Sequence, residues 1–111
     1  MSEKIKRNFD ALRVLHKASP KLRKAILQNS QTELILALCE IIANVLSGTV
    51  KLSPRQKKRL HAHKSSLRHL ADKRVPIKAK RQILTQKGGF LAALLPPALT
   101  LLATIIGNAV N

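Results

Sequence analysis

The stretch Leu34–Leu46, LILALCEIIANVL, decides the fold. Its one polar stripe at helical spacing is narrow and runs through Glu33, Ala37, Glu40, Asn44 and Ser47. A helix apolar on most of its circumference is buried on most of it. This segment is therefore expected at the centre of the core, or in an interface between copies of the chain formed through residues 31–47. Ser30-Gln31-Thr32-Glu33 has the spacing of a capping box, in which the Ser30 hydroxyl accepts from the Glu33 amide and the Glu33 carboxylate reaches back to the Ser30 amide. Gly48 supplies a C-terminal stop.

Toward the N-terminus, Ile5, Phe9, Leu12 and His16 recur at helical spacing and predict a helix that ends at Ser19-Pro20. A serine cap followed by a first-turn proline starts a second, short helix there, with Leu22, Ala25 and Ile26 on one side and its end near Gln28-Asn29. Toward the C-terminus, Ser53-Pro54-Arg55-Gln56 repeats the start signal. The helix it opens is predicted to reach about Lys73-Arg74, with a thin apolar edge of Leu60, Leu67 and Leu70. Val75-Pro76 breaks it, and Ile77 to Gln86 forms a fifth helix. The expected fold class is all-α, a small bundle of about five short helices with a Pro-kinked hydrophobic helical tail. Composition agrees: 45% of the 111 residues are hydrophobic, with Phe9 and Phe90 as the only aromatics besides histidine, so the apolar content is Leu, Ile, Val and Ala.

Charge divides the chain into three segments. Residues 1–47 hold 8 basic and 4 acidic side chains, residues 51–87 hold 13 basic against Asp72 alone, and residues 88–111 hold none. The expected organisation is a helical head at 1–48, a basic helical region at 51–87 and a hydrophobic tail at 88–111. The net charge of +16 is self-repelling in so short a chain and calls for a polyanionic partner, either phosphate backbones or an anionic membrane surface. From Phe90 to Val110 the tail is 21 residues, long enough by itself to cross a membrane. Pro96-Pro97 argues against a straight span and is expected to divide it. Beyond the prolines Thr100, Thr104, Gly107 and Asn111 fall on one side and Leu99, Leu102, Ile106 and Val110 on the other, a weakly amphipathic pattern.

Catalysis lacks its ingredients. Five carboxylates, one of them in the basic region, cannot readily build an acid–base pair or a carboxylate metal site there, and no phosphate-binding glycine loop is present. No enzyme activity, cofactor or metal is expected. His61 and His63 point to different helix faces and His61 and His69 lie two turns apart, as solvated or DNA-facing histidines would. Cys39 sits in the most apolar stretch and is expected as a small buried hydrophobe; as the only cysteine it can form no intramolecular disulfide. The N-terminus lacks the apolar core of a signal peptide, so export by that route is not expected.

Nucleic-acid binding has its ingredients. Lys57, His61, Lys64 and Arg68 follow one another at spacings of four, three and four and form a basic stripe. Around them Lys51, Arg55, Lys58 and Arg59, and beyond them Lys73, Arg74, Lys78, Lys80 and Arg81, complete the candidate DNA-binding set. With no Trp or Tyr to stack on unpaired bases, backbone contact with duplex DNA fits better than single-strand binding.

At the charge boundary, Gly88-Gly89-Phe90-Leu91-Ala92-Ala93-Leu94-Leu95-Pro96, followed by the small and apolar stretch from Ala103 to Gly107, resembles the C-terminal part of the precursor of the small basic core protein of adenoviruses (protein X, or mu). Proteins of this type also occur in the adenovirus-like Polinton, or Maverick, elements. The order of parts is similar too, basic before the diglycine and apolar after it; about 24 residues carry the motif, and residues 1–50 fall outside it. The resemblance implies a virion core protein that condenses viral double-stranded DNA in the virion core and host nucleus. It also implies a precursor cut after Gly89 by an adenovirus-type cysteine protease, with Gln86, Gly88, Gly89 and Phe90 forming the cleavage site. Residues 90–111 would then contact a membrane or the capsid. The competing expectation is a membrane-active protein whose tail inserts in lipid while the basic helices grip anionic headgroups.

Overall fold

The structure, a computed structural model, describes residues 2–110, with side chains to residue 104. Among the described residues the fold is all-α: α1 (Glu3–Arg7), α2 (Phe9–Lys17), α3 (Pro20–Asn29), α4 (Thr32–Leu46), α5 (Pro54–His61), α6 (Lys64–Ala71), α7 (Ile77–Gln86), and a 3₁₀ turn at Gly88–Phe90 that leads into α8 (Leu91–Val110). The helix count exceeds five because two of the expected helices are each broken once. Asn8 interrupts the first: its side-chain Nδ2 donates to the Lys4 carbonyl at 2.8 Å, competing with the backbone ladder, and the chain restarts when the Leu12 amide bonds to the Asn8 carbonyl. The fourth breaks at Ala62-His63, where the His63 ring packs 5.6 Å from that of Phe90.

Local signals explain most of the boundaries. Ser19 accepts from the Leu22 amide ahead of Pro20, and Ser53 and Gln56 form the full reciprocal capping box ahead of α5. Gly48, at φ 86°, ends α4: its amide bonds to the Val45 carbonyl and the Thr49 amide to that of Asn44, the two bonds of a Schellman turn.

The start of α4 departs from expectation. Its N-cap is Gln31, and Ser30 and Glu33 do not cap each other. The Ser30 hydroxyl is drawn to the end of α3, donating to the Leu27 carbonyl, while the Glu33 carboxylate accepts from Nε and Nη2 of Arg7 at 3.1 and 2.6 Å. For Glu33 a charged tertiary partner displaces the weaker local bond.

Seven residues of α4 are buried, from Leu34 to Ile42, among them Ala37 from the supposed polar stripe. Helices α1, α6 and α7 pack on it, α3 packs on α7, and α2 and α5 pack on α8. Most of the apolar circumference of α4 is thus covered within a single chain, while Leu46 at its C-terminal end is exposed.

The uncharged segment lies in that same core. Phe90, Leu91, Leu94, Leu95 and Leu102 are at most 1% exposed and join the cluster built on Leu38, Ile41 and Ile42. Hydrophobic residues after the diglycine therefore close the bundle instead of forming a separate appendage. Pro96-Pro97 does not divide the segment, since α8 runs through both prolines. Each interior proline costs about 3 kcal/mol of helix stability, but burying each large apolar side chain on α8 returns about 1.5–3 kcal/mol. The chain turns instead at the diglycine, by 71° between α7 and the following segment. Among the described residues no single helix is long and apolar enough to cross a membrane; this bent pair meets the length and composition test only jointly. Thr100 and Thr104 are exposed, with their hydroxyls bonded to the carbonyls four residues back, and Leu102 is buried. Leu99 is half-buried against the core, and the pattern's other members, Ile106, Gly107, Val110 and Asn111, lie outside the described side chains.

Candidate nucleic-acid interface

α5 begins at a rigid start, because the Ser53-Gln56 box and Pro54 fix its first turn. Leu60, Leu67 and Leu70 anchor α5 and α6 to the core, so the remaining faces of both helices carry cations outward. Lys51, Arg55, Lys57, Lys58, Arg59, Lys64 and Arg68 are all exposed, as are Lys73, Arg74 and Lys78 further along. Despite the break at residues 62–63, Lys57, His61, Lys64 and Arg68 stay together along one groove of about 250 Å³ with an apolar floor that includes Val45, Leu52 and Leu60. Only one of the ten exposed cations is paired among the described residues: Arg74 grips Asp72, donating from Nη2 to Oδ2 at 3.0 Å and from Nε to Oδ1 at 3.1 Å. That guanidinium and the Arg74 amide hold the Asp72 carboxyl down at about 2.

Two of the expected contacts are corrected. In α7 the residues at inward spacing are Ile77, Lys80 and Leu84, so Lys80 is turned into the protein and is only 5% exposed. Arg81 faces α3, where Nη1 donates to the carbonyls of Leu27 and Ser30 at 2.7 and 2.8 Å and to the Ser30 hydroxyl at 3.0 Å. It acts as a C-terminal cap for a helix about fifty residues away in sequence and is half-buried, whereas Lys78 on the same helix is exposed. Sequence reasoning missed a second group of cations. Arg13, Lys17, Lys21 and Lys24 on α2 and α3 are also exposed, a signal diluted in the sequence by the acids of the first segment.

The other candidate residues settle into structural roles. Cys39 is buried, and burial pushes its thiol pKa up, against a smaller opposing pull from the Lys80 charge. Among the described residues no three His, Cys, Asp or Glu side chains gather as metal ligands.

The diglycine has an unexpected geometry. Gly88 and Gly89 sit in the 3₁₀ turn, neither with a positive φ, and Phe90 immediately after them is 1% exposed. A Cβ added at Gly89 would meet nothing within 4 Å, and one at Gly88 would touch only the Leu91 Cδ1 at 3.5 Å, an ordinary contact. Neither the backbone conformation nor the packing of this fold demands glycine at either position.

No protein-family model, curated protein or solved structure matches this chain.

Proposed function

We propose that this chain is a sequence-nonspecific duplex-DNA-binding and condensing protein of a virion core, made as a precursor that is cut after Gly89. The observation that carries the proposal is the run of ten exposed cations from Lys51 to Lys78, with Asp72 as the one acid among them. Such a surface gains affinity by displacing the counterions condensed on phosphates, a gain that needs no base contact. The further exposed cations on α2 and α3 add to the positive surface offered to phosphates. The diglycine supports the processing step: the fold makes no demand for glycine there, whereas a narrow protease groove that holds the chain extended would.

The lipid-bound alternative has less to rest on, because Phe90, Leu91, Leu94 and Leu95, which would have to insert, are the residues that close the core.

The experiment is duplex binding across a salt series. Neutralising roughly 6–10 phosphates predicts an affinity loss on the order of 10³ to 10⁵ between about 50 and 200 mM salt. Replacing Lys57, Lys64 and Arg68 with Ala should weaken all duplex sequences alike and make the salt slope shallower by about 3. Binding indifferent to salt, or a loss confined to one sequence, contradicts the proposal.

A further inference from the structure

Two adjoining cavities lie where the C-terminal end of α4 and the connection after it meet α5 and α6. One, of about 250 Å³, joins the stripe from Lys57 to Arg68 to apolar walls that include Val45, Leu46 and Leu52. The other, of about 320 Å³, shares Val45, Leu52 and Lys57 and continues the same surface to Lys51. Among the described residues no acid lines either cavity. Leu46 is 45% exposed, so an apolar side chain stands open beside a row of unpaired cations. Phosphate contact accounts for the cations and leaves this apolar wall unused. A ligand that satisfies both halves of the groove carries acids and apolar side chains side by side.

We infer that this groove docks an acidic amphipathic helix of a partner protein, its apolar stripe against Val45, Leu46 and Leu52 and its acids along the Lys57-to-Arg68 edge. The cations of that edge recur at spacings of four, three and four, one to each helical turn, and all of them line one cavity despite the break between α5 and α6. A partner helix with apolar anchors at i, i+3, i+4 and i+7 and one acid per turn beside them is the complementary pattern. Charge complementarity of this kind selects the partner as well as attracting it. A second copy of this chain is the wrong partner: it is itself at +16, has five acids in all, and binds two of them, Glu33 and Asp72, to its own Arg7 and Arg74. The inference goes beyond the proposed function and stands without it. Because Lys57, Lys64 and Arg68 serve both ligands, the acidic helix and a duplex exclude one another at this face.

The test uses the full-length protein and a synthetic peptide with Leu at i, i+3, i+4 and i+7 and Glu at the flanking positions, against a scrambled peptide of the same composition and charge. Affinities are read by fluorescence anisotropy at about 150 mM salt, where attraction between exposed charges is screened beyond about 8 Å. The patterned peptide should bind about tenfold or more tighter than the scrambled one, since only it can bury its leucines while its acids meet the cations. Leu46→Ser, at an exposed position, should remove most of that advantage and leave duplex affinity unchanged. In the parent protein the methyl signals of Val45, Leu46 and Leu52 should shift in NMR spectra with the patterned peptide and stay in place with the scrambled one, a readout that needs no variant to fold. Added duplex should compete the patterned peptide off. Equal binding of the two peptides, unmoved methyl signals, an undiminished advantage in folded Leu46→Ser, or peptide and duplex bound together without competition would each overturn the inference. A protein that binds the patterned peptide in this way but binds no duplex supports the groove and sinks the proposed function.

Discussion

Asp72 and Gly89 show how far single residues report on this protein. The Asp72 carboxyl is held at about 2, below its ordinary 3.8, chiefly by the Arg74 side chain and amide. A depressed acid contributes stability that is complete above its unfolded value and is lost as the pH falls. The contribution of this pair is therefore expected to disappear between pH 3.8 and about 2. Both groups face solvent, so the contribution is small and fades with salt. NMR titration of the Asp72 carboxyl should find a midpoint near 2 that returns toward the ordinary value in Arg74→Ala; an ordinary midpoint in the parent protein would disprove the pairing. For Gly89→Ala the expectation runs in two directions. Folding should be unchanged or stabilised by up to about 1 kcal/mol, since alanine fits the space and restricts the unfolded chain. Cleavage by an adenovirus-type protease should fall sharply. Loss of stability in urea, or undiminished cleavage, would remove the argument that glycine is there for an outside reader.

Helices meet through contacts that the sequence hides. Arg81 on α7 shares two Nη1 protons among three acceptors at the end of α3, and thereby ties the first segment to the second. Arg81→Met should lower the unfolding free energy by about 2–3 kcal/mol in urea denaturation and leave duplex affinity nearly unchanged. The opposite pattern, intact stability with weakened binding, would return Arg81 to the exposed set. The starts of α3 and α5, the Gly48 stop and the burial of α4 were legible because each depends on residues within one turn. What stayed illegible depends on distant partners. The Ser30 hydroxyl accepts from Arg81 instead of capping locally, Glu33 leaves for Arg7, and Lys80 occupies a position that spacing marks as core and residue type marks as surface. The candidate face at Lys57, Lys64 and Arg68 was readable from spacing, but the cations on α2 and α3 were not, because nearby acids mask them in a running sum.

At the scale of the whole molecule, charge and core are built by different segments. All the cations precede the diglycine, and much of the core follows it. Removing residues 90–111 takes away Phe90, Leu91, Leu94, Leu95 and Leu102, each supplying about 1.5–3 kcal/mol of burial, against a total stability of about 5–15 kcal/mol for a domain. A chain ending at Gly89 should therefore lose cooperative thermal unfolding by circular dichroism at moderate salt and regain helicity when duplex is added; an unchanged melt would mean that α8 is dispensable. The burial of Phe90 carries one more consequence. Because the bond before it is presented to a protease only when the turn unwinds, the proposed cut after Gly89 would proceed through the transiently open fraction, each tenfold change in rate corresponding to about 1.4 kcal/mol of opening free energy. Anything that binds the closed form slows the cut in proportion. Under the proposed function, proteolysis would thus be a clock set by occupancy: free copies would be processed first, and copies already seated on DNA would be the last to be severed.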